Sequence, residues 1–155
     1  VIAAYRDALR ALRMRGVPYA VIGGLALHLR YGAALDLPIR DCDLLLPSPS
    51  IGPDAFTTTL RARGWRVRSW QDEVRTPLDP ALLTGRFYLR ATRAAGIIDA
   101  TYEYDAVTWD EVRAGIDWYD GIPIAAPAHL IALMAARDSE QDRSRIAAVR
   151  KLAGL

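Results

Sequence analysis

The chain has 155 residues, 52% of them apolar and 25% charged, with a formal net charge of +2. This is a globular composition at a common domain size, so residues 1–155 are expected to form a single domain with a real core. The charge falls well short of a nucleic-acid binder's, and no apolar run reaches the roughly 20 residues of a transmembrane helix. Cys42, the lone cysteine, has no internal partner, and the charged first turns read as helix and not as a signal peptide. A cytoplasmic protein with no membrane partner is expected. Lys151 is the one lysine among 20 basic residues. That bias reads first as the mark of a GC-rich genome, although arginine is also the better fork for phosphate oxygens.

Ala3 to Arg15 place Tyr5, Ala8, Leu9 and Leu12 at helical spacing, and Gly16 stops the helix. "VPYAVIG", Val17 to Gly23, reads as a short buried strand, and "GLALHLRYG" as a helix of about two turns ending at Gly32. The loop "AALDLPIR" leads to a strand, "DCDLLL", which "PSPSIGP" ends. Asp54 to Arg63 is a helix closed by Gly64, and "WRVRSW" alternates as a strand with Arg66 and Arg68 on one face. Asp72 to Gly85, rich in proline and threonine, is expected to be a mobile loop. "RFYLRAT" and "GIIDATYEY" are strands separated only by "RAA", which predicts a hairpin. A mixed region precedes "IPIAAPAHLIALMAA", a strand feeding a helix that Pro127 opens. Asp142 to Leu152 forms the last helix, with Ile146, Val149 and Leu152 on one face. This order predicts an α+β (mixed-sheet α/β) domain.

Three acids carry the chemistry. In a strand, Asp41 and Asp43 share a face while Cys42 points the other way into the packing. Two carboxylates that close repel, and a hard dication such as magnesium relieves the repulsion. The alternative stands beside it: Asp41 caps a turn and Asp43 faces solvent. Asp99, flanked by Ile97, Ile98 and Ala100, is out of place in a core strand without a partner. If its strand lies beside "DCDLLL", three carboxylates converge, a set suited to two metal ions and a hydroxyl to be deprotonated. Gly23 and Gly24 open a helix directly after a strand, which leaves backbone N–H groups for a phosphate.

In their order, "VIGGLAL", "DCDLL" and "IIDAT" resemble the DNA polymerase beta-like nucleotidyltransferase superfamily. The small bacterial AbiEii-type toxin nucleotidyltransferases are the most similar group, and the likeness extends through "GIPIAAPAHLIALMAARDSEQDRSRIAAVRKL". It implies a central mixed sheet flanked by helices, with two helices at the C-terminus. The implied activity moves a nucleoside monophosphate from a nucleoside triphosphate, such as ATP, to a hydroxyl acceptor, and pyrophosphate leaves. The acceptor would be RNA or tRNA, as in the toxin relatives, or a small hydroxyl compound such as an antibiotic. A toxin would also imply an antitoxin partner. Carried over, Gly23 and Gly24 contact the triphosphate, Asp41 and Asp43 hold two magnesium ions, and Asp99 holds the catalytic one and helps deprotonate the acceptor.

The sequence departs from that pattern in places. Arg40, beside Asp41, ends a loop longer than in many relatives and is a candidate phosphate contact. Met134 stands where AbiEii-type relatives commonly have lysine, and Arg137, on the same helix face, is the candidate to replace it. Arg145 replaces an acid of the last helix, while Asp142 keeps the one before it. These departures motivate the alternative of a degenerate module with a binding or regulatory role. His28 and His129 read as helix-surface or satisfied residues, Cys42 as inert, and Trp65, Trp70, Trp109 and Trp118 as packing. Arg61, Arg63, Arg66 and Arg68 read as a solvated face before a basic strip.

Overall fold

The computed structural model describes residues 2–48, 51–69, 71–79, 88–102 and 106–155, with the backbone alone at Tyr88. Among these, six α-helices accompany eight strands, which join one sheet in the order β4-β3-β5-β6-β2-β1-β8-β7. The α+β, mixed-sheet expectation is met. Helix α1 (Ile2–Met14) buries Tyr5, Ala8, Leu9, Ala11 and Leu12, the apolar stripe of its 3.6-residue period, and turns its arginines outward. It packs against α3 (Pro53–Ala62) and touches the sheet at β6 and β8.

Strand β1 (Ala20–Ile22) is buried throughout and leads directly into α2 (Gly23–Tyr31). It runs antiparallel to β2 (Cys42–Leu45) and parallel to β8 (Ile122–Ile124). Strand β2 in turn pairs in parallel with β6 (Gly96–Thr101). The hairpin of β5 (Tyr88–Arg93) and β6 turns on Ala94 and Ala95, one residue tighter than "RAA" suggested, with Ala94 at φ 50°. Strands β3 (Arg66–Ser69) and β4 (Asp72–Glu73) extend the sheet beyond β5, and β7 (Asp117–Tyr119) closes its other edge. Helix α5 (Pro127–Arg137), opened by its proline, packs on α6 (Glu140–Ala153), the pair expected at the C-terminus.

Several expectations change. Residues 72–73 of the predicted mobile loop form β4, and Val74 behind them is buried; residues 80–85 lie outside the described set. The mixed region holds α4 (Trp109–Ala114) and β7, and α4 starts at a reciprocal capping box between Thr108 and Glu111. Of the tryptophans, Trp65 is buried and Trp109 half-buried, but Trp118 is 58% exposed on the edge strand, with the Arg13 guanidinium over its ring. Trp70 lies outside the described residues. Leu152 is exposed, so the last apolar turn of α6 runs past the core. No described helix is long and apolar enough to cross a membrane.

Candidate active site

The parallel register of β2 and β6 sets Asp43 directly opposite Asp99. Asp41 stands one residue ahead of β2, and one carboxylate oxygen from each of the three acids lies within 4.8 Å of the others. Burial, then repulsion from Asp41 and Asp99, pushes the Asp43 carboxyl up to about 7. Cys42, between the two acids in sequence, faces the opposite side and is fully buried; burial first, then the neighbouring acids, raises its thiol well above its ordinary value. It is inert as a nucleophile. Three crowded carboxylates, one of them reluctant to ionise, make a donor set that fits a hard dication.

A cation of the chain already faces this cluster. Arg90 on β5 lies opposite Asp99 and grips it as a fork, Nε to Oδ1 at 2.8 Å and NH2 to Oδ2 at 2.9 Å. That grip explains how an acid that is only 8% exposed is tolerated among isoleucines. Arg90→Met should therefore lower the melting temperature of the metal-free protein and enlarge the gain that magnesium gives. A thermal-shift series with equal magnesium gains in the variant and wild type would show that the fork and an ion do not compete.

Where β1 ends, Gly23 enters α2 at φ +66°. A Cβ there would collide with the Asp43 carboxyl group, lying 3.2 Å from its Cγ, whereas one at Gly24 would meet no atom within 4 Å. Ile22, at the N-cap of α2, makes no side-chain cap and no described side chain replaces it, which leaves first-turn N–H groups for an anion. Gly23, Gly24 and Asp43 line a cleft of about 60 Å³, whose other wall is formed by Leu133, Met134 and Arg137 of α5 and by Arg145 of α6. Arg137 donates to Asp142 Oδ1 at 2.9 Å, and the Ser139 hydroxyl donates to Oδ2 at 2.7 Å. Although burial works against it, these bonds and the arginine charge hold the Asp142 carboxyl below its ordinary value. Arg145 is half-buried, and its Nε has no hydrogen-bond partner among the described residues.

The structure thus brings together Asp41, Asp43, Asp99, Gly23, Gly24 and Arg137. Arg40 is exposed and does not line the cleft. Neither histidine lines it, and His129 Nδ1 is buried without a described partner instead of being satisfied. The arginines from the end of α3 into β3 lean on two acids: Arg61, Arg66 and Arg68 on Glu73, and Arg63 on Asp7. Sequence reasoning missed Arg90, although a signal was there, since counting back across the hairpin from Arg93 and Gly96 places it opposite Asp99.

No protein-family model matches this sequence, and no curated protein matches it significantly. Among solved structures, the antibiotic-resistance factor ANT(2'')-Ia superposes with a TM-score of 0.64 at 13% identity, over 98% of this chain and 83% of its own. The chain has a nucleotidyltransferase-like fold. A protein from H. pylori described as a nucleotidyltransferase gives a TM-score of 0.49 at 18% identity, over 84% of this chain and 54% of its own. At 13% identity the likeness to ANT(2'')-Ia is one of fold, and it does not single out the AbiEii-type branch.

Proposed function

We propose that the chain is a magnesium-dependent nucleotidyltransferase of one domain that moves a nucleoside monophosphate from a nucleoside triphosphate to a hydroxyl acceptor. One observation carries this reading: Asp41, Asp43 and Asp99 converge within 4.8 Å beside a cleft walled by the uncapped start of α2. Asp41 and Asp43 would hold two magnesium ions, and Asp99 one of them, supplying charge neutralisation at the phosphoryl oxygens. The backbone at Gly23 and Gly24 admits phosphate oxygens closely, and Arg137, anchored by Asp142, offers donors from the facing wall. As the acceptor oxygen bonds the α-phosphorus and pyrophosphate departs, an Asp99 oxygen takes the hydroxyl proton. Arg90 must first release that oxygen.

The acid-bound arginines after α3 and the fold shared with an antibiotic-resistance factor favour a small hydroxyl acceptor. An AbiEii-type toxin, with tRNA as acceptor and an antitoxin partner, draws less support from a strip whose arginines lean on Glu73 and Asp7. Either setting is cytoplasmic. The Arg90 fork on Asp99 and the apolar Met134 in the cleft wall favour a second reading, a module that binds nucleotide without turning it over.

Calorimetric titration with the four nucleoside triphosphates and magnesium tests the first reading, on the wild type and on Asp41→Ala/Asp43→Ala. Binding that disappears in the double variant is expected, and absence of binding by the folded wild type would sink the reading. Binding without pyrophosphate release across a panel of hydroxyl acceptors would favour the module.

A further inference from the structure

We infer that Arg145 is a phosphate-binding residue of this cleft, receiving the anionic tail of the nucleotide across from the open start of α2. The inference rests on the nucleotidyltransferase reading for the identity of the ligand and on this chain's own geometry for its charge. Arg145 projects from α6 into the wall that faces Gly23 and Gly24. Asp142, the acid one turn back, feels the Arg145 charge, but its oxygens accept from Arg137 and Ser139, and no described ion pair or hydrogen bond joins it to Arg145. Arg145 is half-buried, its buried Nε has no described partner, and the rest of its guanidinium is left to the cleft that it lines, an incompletely matched cation within the protein.

What would complete it is set by the surroundings. Across the cleft are uncapped N–H groups at the positive end of a helix. On the Arg145 side, Met134 supplies no donor, so Arg137 and Arg145 carry the positive charge of that wall. Donors on two sides of a small cleft that Asp43 also lines suit a phosphate oxyanion arriving with a dication. Arg145 also borders an open surface depression with Leu35, Leu37 and Ser144. Arg145 therefore lines both the small cleft and a wider space beside it.

The test is titration of wild type, Arg145→Gln and Arg145→Lys with magnesium tripolyphosphate and with each nucleoside triphosphate. Arg145→Gln should bind both kinds of probe at least about tenfold more weakly, and Arg145→Lys should stay within about threefold of wild type, since lysine keeps the charge and loses only the fork. Wild-type affinity in Arg145→Gln would overturn the assignment and leave the nucleotide reading standing. Uptake of tripolyphosphate that depends on Arg145, with no uptake of any nucleotide, would keep the assignment and overturn that reading. If the wild type takes up neither probe, both fall. Should Arg145→Gln fail to fold, phenylglyoxal labelling of the wild type answers the question: tripolyphosphate is expected to protect Arg145, and unaltered labelling would overturn the assignment.

Discussion

Asp43→Asn should reduce nucleotidyl transfer by on the order of 10³-fold while making the metal-free protein more stable. The loss follows from removing the one acid that both lines the cleft and meets the other two. The gain follows from linkage. Burial and two neighbouring carboxylates raise Asp43 from its ordinary 3.8 to about 7, so in the folded state it holds a proton that the unfolded chain gives up. Its stabilising contribution is complete below about pH 4 and is lost as pH rises through about 7. Asparagine cannot ionise and escapes that loss. In EDTA at pH 8 the variant should melt higher than wild type by roughly 5 °C or more, and the gap should close toward pH 4. Calorimetry across that range checks it; melting temperatures that stay parallel at every pH would mean that Asp43 ionises without penalty. Magnesium should reverse the order of the two proteins at pH 8, because only the wild type gains a full set of ligands.

Gly23→Ala should destabilise the fold by about 3 kcal/mol, whereas Gly24→Ala should be neutral or stabilising by up to about 1 kcal/mol. The two residues are adjacent and look equivalent in the sequence. Gly23 has φ +66°, and a Cβ on it would occupy the place of the Asp43 carboxyl group. Gly24 has ordinary helical geometry and open space around it, and alanine is the better helix former there. Urea unfolding of the two variants separates the effects. Equal losses at both positions would mean that the helix start tolerates no methyl group anywhere, and that the contact with Asp43 is not the cause. Gly23→Ala should also weaken nucleotide binding in the surviving folded protein, because the displaced carboxylate belongs to the cleft.

Much of this was legible in the chain because it is local. Strand alternation placed Cys42 inside and Asp43 on the other face, and Pro127 and Gly32 marked helix boundaries. Asp99 announced itself as an acid needing a partner, but which partner depends on strand order, and nothing in "IIDAT" states that β6 lies between β5 and β2. Arg90 acts through such a neighbour and passes for an ordinary surface arginine, while Arg145 stands out in the sequence only as a departure from the family pattern, with no role attached. Strands β4 and β7 are too short for a period to show, and edge position left Trp118 outside the core where its apolar character argued for burial. Helix α4 had a signal, Thr108 followed three residues later by Glu111, hidden by the brevity of the helix that it caps.

The parallel pairing of β2 with β6 also has a kinetic meaning. Helix α3 and strands β3, β4 and β5 intervene in sequence, so Asp43 meets Asp99 only after a long crossover has closed, whereas β5 and β6 can find each other early across two residues. An ion held by these acids has no preassembled seat on the unfolded chain. It should leave the refolding rate almost unchanged and slow the unfolding rate, so that its protection appears as a longer lifetime of the native state and not as faster arrival there.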